Sequence, residues 1–433
     1  MLRPRIRVRN PRLVVIIGSI CGLILASTFY SWRFAYFWLD DFNNLFWVQQ
    51  QSFARMLWYN VDPFANFFRP FGMLVYWILW QAFGLAPLPY HTIAWILHTA
   101  NVFLLYVLLS RIIGSRYAAA VGALLFGFRS NFTDIYWSFG TIFELLACLL
   151  VFLAILIYAG EFSYSRLLFV AVLYLLAIKS KEMSVTLPAI LLLYDVCIRK
   201  EKFDPRRLVW FAALGVFTVA WSYVRFLSMG SDSPANPYYM DFSAITMGRG
   251  YGWYFDHLYG LRLRWGAWTI AMVLLAAAFA YAREKRGLFF TGYFFITLLP
   301  VVFLVNHRYE FFWYIPFFGI AGLAALVTVA VETQLRQLLS ERSLEVAGVI
   351  MFGLFAVGHY VRERAASAEV LENERSLAVE YASFVQSIRG LPSPENSGTV
   401  LIKDVPRHFT PEVLTSAVQV ILRRTDIHAE VVR

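Results

Sequence analysis

Long apolar runs recur along this chain of 433 residues, and they restrict its fold more than any other feature. Hydrophobic residues make up 59% of the chain and charged residues 15%, whereas soluble domains carry about 25% charged residues. A helix that crosses a bilayer needs about 20 apolar residues. We therefore predict eleven membrane spans: 13–32, 91–110, 117–131, 139–159, 166–180, 184–198, 208–227, 263–282, 287–305, 312–331 and 344–361.

The distribution of charge determines how the apolar segment 69–84 is interpreted. At about 1.5 Å per residue it reaches only about 24 Å, short of a hydrocarbon core of about 30 Å. If this segment does not cross, every Arg/Lys cluster between the apolar runs lies on the side of the N-terminus, as the positive-inside rule requires. We therefore predict interfacial helices for 69–84 and 43–60, a cytoplasmic N-terminus and an extracytoplasmic C-terminus.

The formal net charge of +10 does not indicate a nucleic-acid-binding protein, because the excess lies in these short clusters. The three cysteines, at no metal-ligand spacing, predict neither a disulfide nor a zinc site. The first apolar run is long for a signal peptide and lacks a small-residue cleavage site, so we expect it to remain as a span. The compact chain favours a multi-pass protein of a bacterial plasma membrane, with the endoplasmic reticulum membrane as the alternative.

The end of the chain has a different character. Residues 363–389 have helical composition, and the strand-like "GTVLIKDVP" follows them. Thr410 and Pro411 then open a predicted helix, after which "IHAEVV" predicts a second strand. The predicted fold class is an all-α polytopic membrane protein, with a membrane domain over 1–361 and a small α/β extracytoplasmic module over 362–433.

This topology places a particular set of residues on the outer face. Asp40 and Asp41 follow the first span within "FWLDDFNNLFW". The longest outer loop, roughly 228–262, is rich in Gly, Pro and Tyr and suits a mobile cover over a substrate. The other outer-face candidates are Arg69, Arg129, Asp134, Lys181, Glu182, Arg308, Tyr309 and Glu310.

Four motifs carry a family resemblance. "LDDF", then "FRPFGMLVYWILWQAFG" with "PYHTIAWILHTANVFLLYVLLSRI", then "KSKEMSVTLPAILLLYD" and finally "HRYEFFWYIPFFG" follow one another. Over roughly residues 10–330 the chain resembles the GT-C superfamily of glycosyltransferases that use polyprenyl-phosphate sugar donors. Within it, the chain is most similar to the protein O-mannosyltransferase-like enzymes that carry tetratricopeptide repeats. It lacks those repeats, and it has "FRSNFTD" where they have His-Pro-x-His-x-Glu.

The resemblance implies a GT-C fold and the transfer of a sugar from a polyprenyl-phosphate donor to a hydroxyl acceptor on a protein, lipid or glycan, with inversion. A hydroxyl is a weak nucleophile and needs a general base. The proton affinity of a carboxylate rises when it is partly desolvated at a membrane surface. The resemblance makes Asp40 the first candidate for this base and Asp41 the second. Asp134 would stand in for the acid of the altered motif.

The leaving phosphate needs fixed cations or N–H donors. Lys181 and Arg308 are the first candidates, followed by Arg69 and Arg129, because Arg can bind phosphate through two parallel hydrogen bonds. Three acids could bind sugar hydroxyls, orient the cations or hold a divalent metal, the one cofactor left open: Asp134, Glu182 and Glu310. Tyr309 is a further candidate for binding the substrate.

Each candidate also has a plainer explanation. Asp40 or Asp41 could cap a helix that starts near Phe42. Ion pairs at a membrane surface contribute little free energy. Lys181 with Glu182 could be a pair of this kind, and Arg308 with Glu310 could anchor a helix end among lipid headgroups.

Two other functions also remain open. A transporter or flippase for lipid-linked saccharides should carry its ionisable groups near the middle of the membrane, whereas these lie at the outer ends of the spans. A non-catalytic relative could act as a scaffold of a cell-surface glycan assembly complex through its tail. A ligase or polymerase of the O-antigen type is a further enzymatic alternative, for which we expect a large late outer loop.

Overall fold

The computed structural model describes residues 11–132, 135, 137–199, 205–259, 265–391 and 398–431. Over these residues the regular structure consists of helices, short 3-10 turns and two strands, joined by loops. The helices are α1 Pro11–Trp32, α2 Leu39–Gln49, α3 Phe53–Val61, α4 Pro70–Phe83, α5 Pro87–Ile113, α6 Arg116–Gly127, α7 Ile142–Tyr158, α8 Tyr164–Ser180, α9 Leu187–Cys197, α10 Pro205–Ser228, α11 Ala244–Tyr259, α12 Trp265–Tyr281, α13 Lys285–Val302, α14 Phe317–Leu338, α15 Glu341–Ala366, α16 Ala368–Arg389 and α17 Pro411–Leu422. The strands are β1 Thr399–Ile402 and β2 His428–Val431.

Each predicted span overlaps one of these helices, and residues 263 and 264 of the span 263–282 lie outside the described residues. Within the part of the chain that the structure describes, six helices are long and apolar enough to cross a membrane. These are Pro87–Ile113, Phe139–Tyr158, Arg206–Ser228, Lys285–Val302, Phe317–Leu338 and Glu341–Ala366. The predicted all-α, multi-pass membrane class is therefore confirmed. The count of eleven crossings stays a prediction, since α1, α6, α8, α9 and α12 supply the other five.

The two segments between α1 and α5 that were predicted to lie along the membrane are helical, with one correction. Helix α4 matches the predicted helix at 69–84, and it has 14 residues. The single helix predicted for 43–60 is wrong, because α2 and α3 are separate. The side chain of Ser52 accepts a hydrogen bond from the Arg55 amide, 3.3 Å away, and so caps a new helix start. Helix α2 begins at Leu39, three residues earlier than expected.

The interior of the bundle is formed chiefly by α5, α6, α7, α13 and α14. Close approach of α6 to α14 depends on Gly122, where a Cβ would lie 2.8 Å from the carbonyl oxygen of Ala321. His98 of α5 lies within hydrogen-bond distance of the Tyr314 hydroxyl, at 2.8 Å, and of the Gly127 carbonyl, at 3.1 Å. These contacts join α5 to the end of α6 and to the segment that precedes α14.

The C-terminal module consists of α16, β1, α17 and β2. The strands pair in parallel, Thr399 opposite His428, and α17 connects them. Thr410 caps α17 through a 3.3 Å hydrogen bond from the Val413 amide, as its sequence predicts. The predicted α/β character of the tail is confirmed. Helix α15 continues past the predicted domain boundary at 361 to Ala366, and α17 packs against α2 at the far end of the sequence.

Candidate active site

A cavity of about 770 Å³ opens between α2, the residues before α4, the start of α7 and several loops. Four of the candidates named from the sequence line it: Asp40, Arg69, Lys181 and Tyr309. They are separated by up to 269 positions in the chain. Their convergence identifies the cavity as the candidate active site.

The two adjacent aspartates have different surroundings. Asp41 is fully buried; Tyr76 donates a 2.6 Å hydrogen bond to one of its oxygens, and the Trp38 amide donates a 2.7 Å bond to the other. Asp41 therefore caps the first turn of α2 and ties that helix to α4. The assignment of Asp41 as an alternative base is corrected, because both of its oxygens are engaged inside the protein. Asp40 instead faces the cavity.

Burial raises the pKa of Asp41 to about 7, although the hydrogen bonds from Tyr76 and Trp38 lower it and the charge of Asp40 raises it further. Between the unfolded value of 3.8 and about 7, the folded state holds the proton more tightly than the unfolded state does. Asp41 therefore makes the free energy of unfolding fall as the pH rises through this window. We expect the melting temperature of the wild type to fall more steeply than that of Asp41→Asn between about pH 4 and about pH 7. Thermal unfolding in detergent measures this difference, and parallel curves for the two proteins would contradict it.

Asp40 combines access to the cavity with a modified proton affinity. Desolvation by the surrounding protein raises the pKa of its carboxyl group, and the positive charge of Arg69 opposes that shift. A raised pKa strengthens the carboxylate as a proton acceptor.

Arg69 is held in an unusual backbone conformation at the start of α4. Its φ is 44° and its ψ is 59°, the left-handed region that residues other than Gly rarely adopt, directly before Pro70. The guanidinium lies 4.3 Å from the centre of the Phe68 ring. Such strain persists where the surrounding structure enforces it, and here it turns the side chain into the cavity wall.

Glu182 connects two arginines. Its carboxylate accepts hydrogen bonds from Arg69 Nε, at 3.1 and 3.3 Å, and from Arg225 Nη2 at 3.2 Å. Burial acts to raise the pKa of Glu182, but Arg69, Arg225 and Lys181 outweigh burial and lower the pKa to about 2. Glu182 therefore stays ionised and orients Arg69, one of the roles predicted for it.

Lys181 forms its salt bridge with Glu144 at the start of α7, and both side chains are buried. The plainer alternative, a surface ion pair between Lys181 and Glu182, is therefore wrong. The ammonium nitrogen lies 4.6 Å from the centre of the Phe312 ring. Burial and the charge of Arg69 lower the pKa of Lys181 to about 8, against the attraction of Glu144 and Glu182. An ammonium has three N–H donors, so this contact leaves others that can point into the cavity.

Three further candidates lie outside the described cavity wall: Arg308, Arg129 and Glu310. The backbone at Tyr309 is extended, so alternate residues point to opposite sides. Tyr309 accordingly lines the cavity, while Arg308 turns away and donates to the Leu304 carbonyl at 2.9 Å.

The other two belong to a separate polar cluster around Asn131. Arg129 donates to the Asn131 side-chain oxygen at 2.8 Å, and the Asn131 amide donates to Glu310 at 2.8 Å. The structure therefore does not bring Arg129 and Arg308 to the cavity as phosphate-binding cations, and Glu310 lies in this separate cluster. Asp134 lies outside the described residues.

The cavity also contains residues that the sequence analysis missed. Glu144 was the clearest omission, because a lone acid in the first turn of an apolar run is a functional signal by itself. Tyr238, His307 and Glu374 carried no comparable pattern. Burial, together with the charges of Lys181 and Arg69, lowers the pKa of His307 to about 4, so this imidazole is neutral near neutral pH.

The long loop predicted over 228–262 is shorter than expected, since it contains α11. The part of the loop before α11 is held to the segment after α13, while residues 260–262 lie outside the described residues. The Asp241 amide donates to the Phe303 carbonyl at 3.0 Å, and the Val305 amide donates to the Tyr239 carbonyl at 3.1 Å. These backbone bonds hold Tyr238 over the cavity, with its ring centre 4.6 Å from that of His307.

The described residues include no group of three His, Cys, Asp or Glu side chains that could hold a metal ion. Glu182 and Glu310, two of the acids considered as ligands, are engaged by different partners in different clusters. We therefore assign no metal ligand among them.

No family model matches the sequence, and no curated protein matches it. The structure is similar to that of ArnT from Cupriavidus metallidurans bound to undecaprenyl phosphate, with 15% sequence identity and a TM-score of 0.47. That match covers 96% of this chain and 85% of the other. The apo state of ArnT gives 14% identity and a TM-score of 0.49, with 97% and 85% covered. These are similarities of backbone path.

Proposed function

We propose that this protein is a membrane glycosyltransferase of the GT-C type. It transfers a sugar from a polyprenyl-phosphate donor to a hydroxyl acceptor on the extracytoplasmic face, with inversion. The observation that carries the proposal is that Asp40, Arg69 and Lys181 line one cavity. Its volume of about 770 Å³ lies within the range of about 300–1,000 Å³ that is usual for small-molecule sites.

The three side chains have complementary roles in such a transfer. Asp40 accepts the proton of the acceptor hydroxyl while the hydroxyl oxygen forms a bond to the anomeric carbon. The bond from that carbon to the phosphate oxygen breaks, and the polyprenyl phosphate leaves with the electron pair. Arg69 and Lys181 stabilise the negative charge that develops on it. The configuration at the anomeric carbon inverts because the acceptor oxygen displaces the phosphate in a single step. The proposed base, Asp40, takes a proton from the acceptor and forms no bond to the sugar.

The surroundings of the cavity suit a lipid-linked donor. Helix α3 exposes Phe53, Trp58 and Val61, and Phe64 beyond its end is also exposed. Apolar and aromatic side chains of this kind populate the interface between membrane and water. Asn66 and Phe67, which follow α3, reach the cavity wall. A polyprenyl chain that enters beside α3 therefore brings its phosphate towards Arg69.

A reconstituted assay tests the proposal. Purified protein in liposomes receives a radiolabelled polyprenyl-phosphate hexose or pentose together with peptide, lipid and glycan acceptors. We expect sugar on one acceptor class and an equal amount of free polyprenyl phosphate. The contrary result is that the intact donor moves between the leaflets while no polyprenyl phosphate is released in the presence of any acceptor. That result would identify a flippase and overturn the proposal.

A pH profile gives a second prediction. Arg69→Gln removes the positive charge that holds down the pKa of Asp40, while Glu182 keeps Arg225 as a partner. A base must be deprotonated to act, so the acid limb of kcat/KM follows this pKa. We expect that limb to move to higher pH in Arg69→Gln and to stay in place in Arg308→Gln, whose side chain points away from the cavity. Profiles that coincide for all three proteins would contradict the assignment of Asp40.

A further inference from the structure

We propose that the C-terminal module is a working part of the active site: it clamps α2 so that Asp40 faces the cavity, and Phe409 is its principal positioning residue. The effect on catalysis rests on the function proposed above. The effect on the position of α2 does not, and it can be measured separately.

An aromatic cluster joins the module to α2. The Phe409 ring centre lies 5.7 Å from that of Phe42, 5.2 Å from Tyr381 and 5.3 Å from Phe384. Tyr381 in turn lies 5.8 Å from Trp38 at the start of α2. Trp38 and Phe42 flank the two aspartates in the sequence, so the module packs against the helical turn that carries them.

The opposite side of this turn is held by α4. Asp41 accepts the hydrogen bond from Tyr76, and the Asn44 amide donates to the Tyr76 hydroxyl at 3.2 Å. Helix α2 therefore lies between α4 and the module. It has only 11 residues, too few for a helix to be stable without tertiary contacts. Its orientation is accordingly set by these two neighbours.

The module also completes the cavity. Glu374 of α16 belongs to the cavity wall, on which Asp40 and Asn43 of α2 also lie. A carboxylate from the end of the chain thus takes part in the same space as the proposed base. This arrangement goes beyond a tail that merely recruits partners, because removing the module would open one wall of the site.

The position of α2 can be measured without any assay of activity. Asn43→Cys places a thiol on the cavity side of α2, and a membrane-impermeant maleimide reports its exposure in intact cells. The labelling of the same chain without the added cysteine is subtracted, because the protein has three cysteines of its own. We expect Phe409→Ala to raise the labelling rate several-fold. Phe409→Tyr keeps the ring and should restore the slow rate, while Leu401→Ala, on the exposed face of β1, serves as the control.

Catalysis supplies the second readout. We expect Phe409→Ala to lower kcat at least tenfold with little change in KM for the donor, because Arg69 and Lys181 are not displaced. Phe409→Leu keeps apolar volume without the ring, so its kcat should lie between those of the wild type and Phe409→Ala. Gel filtration checks the folding of each variant. Unchanged labelling in Phe409→Ala, whatever its activity, would overturn the clamp. Faster labelling in a protein whose wild type transfers no sugar would retain the clamp and reject the proposed function.

Discussion

Asp40→Asn should lower the turnover of sugar transfer by about 10²–10⁴-fold, the range over which a positioned general base accelerates a reaction. The substitution keeps the size of the side chain and removes its ability to take a proton. Asp40 faces the cavity rather than the protein interior, so we expect the variant to fold normally. Initial rates with saturating donor and acceptor, compared at equal amounts of folded protein, measure the effect.

Asp232→Asn is the matched control for this experiment. Asp232 is also an exposed acid, in the loop after α10, and it does not belong to the described cavity wall. Full activity is expected for the control. If Asp40→Asn and Asp232→Asn both transferred sugar at the wild-type rate, Asp40 would not be the base, and the proposed mechanism would have to be abandoned.

Lys181→Met should impair both stability and transfer. It leaves the carboxylate of Glu144 buried without its cation, and breaking a buried pair in this way typically costs about 3–5 kcal/mol of folding free energy. It also removes a cation from the leaving phosphate, a loss of about 10²–10³-fold in turnover by analogy with other fixed electrostatic groups. Thermal unfolding and initial rates measure the two effects separately.

The double variant Glu144→Gln with Lys181→Met distinguishes the two roles. Gln at position 144 removes the unpaired charge, so we expect most of the lost stability to return while turnover stays low. Recovery of both stability and turnover would mean that Lys181 acts only through folding. Glu144→Gln alone should retain more activity than Lys181→Met, because the ammonium remains in the cavity.

The sequence could predict the parts of this fold that depend on local pattern. Apolar runs gave the positions of the helices, and the alternation of Thr410, Pro411 and flanking strands gave the small α/β tail. Arg69, Lys181 and Tyr309 could be grouped with Asp40 because topology and family resemblance brought their loops to one face.

The sequence could not predict which of two neighbouring side chains enters the cavity, because that depends on short-range geometry. Asp40 and Asp41 are neighbours on a helix, about 100° apart, so a start at Leu39 rather than near Phe42 decides which of them enters the cavity. Arg308 and Tyr309 separate in the same way on an extended backbone. The salt bridge of Lys181 to Glu144 could not be predicted without the packing of α7 against α8.

The contact between α2 and α17 has a consequence for biosynthesis. The helix that carries the aspartates, Leu39–Gln49, is synthesised about 360 residues before Phe409, which packs against it. A nascent chain would thus already contain Arg69 and Lys181 before Phe409 can fix the position of Asp40. Activity should appear only after residue 409 has been synthesised, and products truncated before it would remain inert.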